Sequence, residues 1–251
     1  MADAVLVSKT DEGITTITIN RPHRRTPQKV CVLHGAGDTF CAGFDLHALS
    51  SGRAQQQQQG QSGDDAAEPR VLDEYTPDAD AHPHHRRRRR HAVAGGLELS
   101  LLADLRVAEE DAVFGVFCRR WGVPLIDGGT VRLQAVVGLG RALDMVLTGR
   151  PVGAREALQF GLANRVVARG EAVREAHALA RQLLRFPQGC MRVDRASCYY
   201  AAYGARSFED AMRFEFENGV QVVASESVDG AARFSGGAGR HGDFGDGASK
   251  I

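Results

Sequence analysis

The sequence carries no surplus of charge: lysine and arginine number 31, aspartate and glutamate 31. A chain so balanced projects no field that would draw it toward nucleic acid or an anionic lipid surface. No apolar run approaches the roughly 20 residues that a membrane-spanning helix requires. The N-terminus, Met1-Ala2-Asp3-Ala4, has an early acid where a charged-then-apolar leader would stand. Cysteine is sparse and unpatterned. Cys31, Cys41, Cys118, Cys190 and Cys198 are odd in number and include no CxxC pair, which fits reduced thiols inside a cell better than a disulfide framework. Gly-x-Ser-x-Gly is missing, which argues against an α/β-hydrolase. Gly138-Leu139-Gly140 lacks a third glycine and a preceding strand, which excludes a dinucleotide loop.

What is present divides into ordered and low-complexity stretches. The 251 residues, 43% of them hydrophobic, suffice for one sizeable core. Val5 to Thr10 and Ile14 to Asn20 alternate around Asp11-Glu12-Gly13 and read as a hairpin. Val30 to Leu33 reads as a buried strand. From Ser51 to His91 the character changes to a glutamine run, Gln55 to Gln59, then glycine, serine and aspartate, then a His/Arg tract. Little there could offset the entropy of ordering, so the segment is expected to be a disordered insert. His82, His84, His85 and His91 stand without carboxylates or cysteines and are not expected to hold a metal. Arg86 to Arg90 reads as a solvated charge block.

Order resumes at Ala92. A helix is expected from Gly95-Gly96, short strands at Leu105-Val107 and Phe114-Phe117, and a helix opened by Gly128-Gly129-Thr130. Further helices are expected at Arg141–Leu147, Arg155–Phe160, Ala172–Leu184 and Phe208–Val223. Strand–helix alternation followed by helices implies an α/β core with a helical C-terminal region. The domain map is 1–50 and 92–170 for the core, 51–91 for the insert and 171–251 for the helical region and tail.

Four stretches, in this order and spacing, resemble one family. Gly35-Ala36-Gly37-Asp38-Thr39-Phe40-Cys41-Ala42-Gly43-Phe44-Asp45-Leu46 is the first, and Ala94-Gly95-Gly96-Leu97-Glu98-Leu99 through Arg106 the second. Phe114-Gly115 with Gly122-Val123-Pro124 and Gly128-Gly129-Thr130 is the third. Leu147-Thr148-Gly149-Arg150-Pro151 through Val167 is the fourth. Together they resemble the crotonase (enoyl-CoA hydratase/isomerase) family. The resemblance implies a ββα spiral core and an acyl-CoA thioester substrate whose enolate is stabilised in an oxyanion hole. It implies no cofactor beyond the coenzyme A of the substrate itself.

By the same resemblance Phe44 and Gly95 supply the two oxyanion N–H groups, and Ala42, Gly43, Asp45, Leu46 and Gly96 contact the substrate. The physics agrees: Gly43 lets a turn expose an N–H, and Gly95 opens a helix whose dipole reinforces its own. These glycines also suit a reading as turn and cap residues. Glu98, three residues after Gly95, matches the glutamate that positions or deprotonates water in family hydratases; a carboxylate at a helix start is also favoured by the dipole alone. The family's second glutamate is replaced by Cys118, and a thiol is a poorer acid for this step. Asp127 is either a substitute acid or the N-cap of the following helix.

Two pieces of the family's fold are not found in the sequence: a helix after Arg25 and a buried strand ahead of Ala92, where five adjacent arginines would need partners. The expected function is therefore an enoyl-CoA hydratase/isomerase-like enzyme. A catalytically impaired acyl-CoA-binding or assembly subunit, or a thioester hydrolase on the same scaffold, stands as the alternative. The resemblance also implies a homotrimer or hexamer, with neither nucleic acid nor membrane as partner. Ser249-Lys250-Ile251, one conservative change from Ser-Lys-Leu, points to the peroxisome, with cytoplasm or mitochondrion as alternatives.

Overall fold

The computed structural model describes residues 5–9, 15–19, 30, 32–35, 39–43, 46 and 90–237, the first two stretches by their backbone. The expected insert lies outside the described residues except for Arg90 and His91, as does the chain that follows Arg25 up to Lys29. Two compact units emerge, one of residues 1–27 and 33–175, the other of 28–32 and 176–251.

In the first unit, β1 (Val5–Lys9) and β2 (Thr15–Ile19) form the expected antiparallel hairpin, with Val5 opposite Ile19. β3 (His91–Val93) runs directly into helix α1 (Gly95–Ser100). β4 (Val107–Glu109), β5 (Val113–Gly115) and a 3-10 turn at Phe117–Trp121 follow. Then come α2 (Gly129–Val137), α3 (Leu139–Thr148), β6 (Val152–Gly153), α4 (Ala154–Phe160) and β7 (Arg165–Val167). β5 lies between β3, parallel to it, and β6, antiparallel, while β4 pairs in parallel with β7. The parallel pairs require crossovers, and the helices that supply them cover the apolar strand faces. Leu97, Val116, Leu133, Met145, Val152 and Leu162 form the fully buried centre.

Polar ties fix the loops around that centre. Arg106 donates from Nε to Leu162 O at 2.6 Å and from Nη1 to Ala103 O at 2.6 Å, while its N–H reaches Asn164 Oδ1 at 2.8 Å. Arg150 bridges the end of α3 to the start of α4 by pairing with Asp144 at 2.5 Å and Glu156 at 2.7 Å.

The second unit is helical. The division from the first falls within α5 (Ala172–Arg185), and α6 (Gln188–Tyr203), α7 (Phe208–Val222), a π-turn at Val223–Ser227 and α8 (Val228–Ser235) complete it. Tyr200 stacks on Phe214 at 4.1 Å and donates its hydroxyl to Asp210 at 2.9 Å. Glu226 accepts the N–H groups of Gly189 and Cys190, both at 2.8 Å, and so closes the N-terminus of α6.

Several sequence expectations shift. The buried strand thought missing ahead of Ala92 falls on residues that, up to Arg90, lie outside the described ones; the structure adds a short strand, β3, whose buried part is Ala92 and Val93, with Arg90 and His91 half-buried at its foot. Val30, Val32 and Leu33 are not in a strand, and Leu33 is exposed. The strands expected at Leu105 and Phe114 sit at Val107–Glu109 and Val113–Gly115. α6 was not expected at all.

Candidate functional site

Two glycines bring the first and second motifs together. Cys41 bridges Ala92 in parallel, the N–H groups of Phe40 and Cys41 donate to His91 O at 3.1 Å, and Val93 N–H donates to Cys41 O at 3.2 Å. The segment therefore lies along β3 and meets the start of α1. A methyl group on Gly96 would stand 2.1 Å from Cys41 O. One on Gly43, whose φ is +88°, would stand 2.8 Å from Gly95 N and 2.9 Å from Ala94 Cβ. Only glycine permits that approach.

Ala94 joins β3 to α1 with φ 54° and ψ −126°, the one non-glycine positive φ among the described residues. Such a conformation stores about 1–3 kcal/mol and persists because its surroundings fix it. Here Ala94 is buried and its N–H donates to Gly115 O at 2.9 Å. The sharp turn opens α1 at Gly95, whose N–H precedes any intrahelical acceptor. Gly43 and Gly96 thus pack tightly where the first motif meets the start of α1 at Gly95. Ala42 and Leu46 are exposed nearby in the chain, and Phe44 and Asp45 lie outside the described residues.

One turn along α1 is Glu98, with 3% of its surface exposed. Its Oε1 accepts the N–H of Asp127 at 2.9 Å and of Gly129 at 2.8 Å. Among the described residues Oε2 has no hydrogen-bond partner. Burial pushes the Glu98 pKa above the ordinary carboxylate range, opposed by the two backbone N–H groups; the charge of Asp127 adds to the rise and Arg132 opposes it. Gly129 makes room for this group, since a methyl there would come within 2.6 Å of Glu98 Cγ.

Cys118 is buried in the 3-10 turn, and burial first, then the charge of Glu98, push its thiol pKa up. It is therefore a neutral neighbour of Glu98. Asp127 does not cap α2: Gly128, with φ 87°, holds the N-cap position and no side chain bonds there. Asp127 is exposed and enters through its backbone, donating to Glu98 and accepting from Arg132 Nη1 at 2.9 Å. The helix start is closed instead by the carboxylate of Glu98, reaching across 31 residues of sequence. Sequence reasoning missed Gly129 and Arg132 as site residues; the Gly128-Gly129 doublet was their only signal.

A family model for enoyl-CoA hydratase/isomerase matches residues 15–229. Carnitinyl-CoA dehydratase of Escherichia coli K12 is 35% identical over 163 residues, covering 64% of this chain and 60% of that protein. Enoyl-CoA hydratase EchA19 of Mycobacterium tuberculosis is 37% identical over 161 residues, covering 61% and 56%. The chain thus spans somewhat over half the length of these curated relatives. The crystal structure of enoyl-CoA hydratase subunit I from Geobacillus kaustophilus HTA426 superposes with a TM-score of 0.65 at 24% identity, covering 92% of this chain and 95% of that one. At that identity the likeness establishes the fold.

Proposed function

This chain belongs to the enoyl-CoA hydratase/isomerase family, and from that premise we propose that it binds an acyl-CoA thioester and stabilises its enolate, with Glu98 as the acid–base group. The observation that carries the reading is local: an N–H at the opening of a helix, abutted by the backbone of Gly43, one turn from a buried carboxylate. In the proposed complex the thioester oxygen accepts from Gly95 and Phe44. Negative charge collects on that oxygen as the α-proton leaves or as water adds to the β-carbon. One such preorganised donor is worth about 3 kcal/mol of transition-state stabilisation.

Glu98 offers Oε2 to the reacting proton while Oε1 stays fixed by two N–H groups. Its raised pKa suits a group that must both accept and return a proton. Cys118, kept protonated, supplies no second base in this scheme, and Asp127 offers only its exposed side chain at the rim. The reading therefore favours chemistry that one carboxylate can complete: double-bond isomerisation of an enoyl-CoA, or reversible water addition with Glu98 orienting the water. No metal or redox group is invoked. Full-length protein incubated with crotonyl-CoA, followed by loss of the conjugated-enoyl absorbance, tests it. Turnover that disappears in Glu98→Gln supports the reading, and turnover indifferent to that change refutes it.

Cys118 in place of a second acid favours one other reading, an acyl-CoA-binding subunit without turnover. Binding of crotonyl-CoA by calorimetry with no chemical change would establish it. The family's trimer or hexamer is proposed for this chain too. α7 has no buried residue and exposes Phe208, Met212, Phe216 and Val220, four residues apart, as an apolar stripe suited to a second copy. Sedimentation as a monomer would remove that proposal. Among the described residues no helix is long and apolar enough to cross a membrane. The peroxisomal address proposed for Ser249-Lys250-Ile251, outside the described residues, is checked by following a fluorescent fusion with a free C-terminus.

A further inference from the structure

The arginine tract ends inside the fold. Arg90 pairs through Nε with the Glu109 carboxylate, and that side chain is buried, with 3% of it exposed, at the end of β4. Glu109 also accepts the N–H of Ala172 at 3.4 Å. A buried carboxylate demands a counter-charge, so the place of Glu109 dictates the place of Arg90. Arg90 O in turn accepts Val113 N–H at 2.9 Å, where β5 begins. From Arg90 the chain runs through the three residues of β3 to Ala94 and Gly95.

Such a strand is short, and its few ladder bonds leave its position along its own axis weakly fixed. It is extended at about 3.3 Å per residue, so it has no slack to absorb a shift at its foot. Displacement of Arg90 passes to Ala94, whose positive φ leaves it no second conformation of similar energy. We infer that Arg90 and Glu109 are positioning residues, an ion pair that sets where β3 ends and hence where the Gly95 N–H points. The catalytic half of this inference rests on the acyl-CoA reading above; the structural half does not.

The test uses the full chain as wild type, Arg90→Gln and Arg90→Lys. Amide hydrogen exchange comes first and needs no substrate. In Arg90→Gln the amides of Val93 and Ala94, bonded to Cys41 O and Gly115 O, should exchange about tenfold faster, with Arg90→Lys between it and wild type and α3 unchanged. Unaltered exchange at Val93 and Ala94 overturns the inference. The second arm follows crotonyl-CoA labelled with carbon-13 at the thioester carbonyl. Arg90→Gln should lower kcat about tenfold with KM within about twofold, and return the bound carbonyl infrared band toward its free position. A raised KM with kcat intact, or a band that does not move, overturns it. If wild-type protein neither binds nor turns over crotonyl-CoA, the acyl-CoA reading falls, and the exchange arm still decides the anchor. Should Arg90→Gln not fold, Arg90→Lys and Glu109→Asp carry the same comparison, because both keep the pair and move its point of contact.

Discussion

Gly43→Ala places one methyl group against the N–H that the proposed chemistry depends on. The new carbon would lie 2.8 Å from Gly95 N, 2.9 Å from Ala94 Cβ and 3.2 Å from Val93 O. Two of these neighbours belong to the backbone, so relief requires moving the β3–α1 junction. Forcing alanine to a φ of +88° adds about 1–2 kcal/mol, and overpacking a tight site about 1–3 kcal/mol. A loss of about 2–5 kcal/mol is within reach of a domain whose total is about 5–15 kcal/mol. The functional loss is separate and larger in ratio: a displaced oxyanion donor lowers kcat about 10²–10³-fold. Gly138→Ala separates strain from contact. Its φ of +83° and ψ of 152° also belong to glycine, but nothing lies within 4 Å of the added methyl, so it should cost about 1–3 kcal/mol of strain alone and leave kcat near wild type. Urea unfolding gives the stabilities, and steady-state turnover of crotonyl-CoA per folded molecule gives the rates. Folded Gly43→Ala protein whose kcat stays within about fivefold of wild type would refute the placement of Gly95 in the oxyanion hole.

Glu98→Gln should lower kcat at least about tenfold while leaving CoA binding nearly intact, read by kinetics and calorimetry side by side. The same variant tests the raised pKa of Glu98: a pKa higher folded than unfolded stabilises below the unfolded value, and that contribution is lost as pH rises through the folded one. Tm of Glu98→Gln relative to wild type should therefore climb as pH rises from the ordinary carboxylate range; a gap that narrows instead contradicts the burial argument. Wild-type kcat should rise with pH through the same shifted pKa if the ionised form is the base, and a profile flat across that range speaks against it. Cys118→Ala should cost about 1–2 kcal/mol as a small cavity yet keep kcat within about threefold; a drop of about a hundredfold would make the thiol a proton carrier after all. Arg150→Ala removes a part-exposed pair of contacts to Asp144 and Glu156. It should cost about 1 kcal/mol at low salt and less in 1 M salt, where screening reaches about 3 Å.

The hairpin, α2 to α5 and α7 were legible because apolar periodicity and glycine punctuation agree along each of them. α6 was not: Gln188-Gly189-Cys190-Met191-Arg192-Val193 has a glycine in its first turn and follows Pro187, both of which read as breaks. What rescues that helix start is Glu226, 37 residues away from Gly189, an acceptor that no local pattern reveals. β3 was not read because its three residues, His91-Ala92-Val93, are too few to carry a periodicity of their own, and the neighbouring arginines read as solvated until Glu109 is seen to pair with the last of them. At the site, the glycines that allow close approach could be read directly, because their spacing encodes the backbone path. The grip on Glu98 could not, because its partners are main-chain N–H groups, which every residue carries.

That grip bears on how the site could be retooled. The two groups that hold Glu98 Oε1 are backbone amides, so both positions exclude proline, and position 129 is restricted further by the space its missing side chain leaves. Position 127 lends its amide and keeps its side chain exposed. Any residue but proline keeps that N–H, so the exposed side chain there can change while the carboxylate keeps its orientation. The orientation of the buried carboxylate and the character of the exposed side chain at 127 can then change independently of each other.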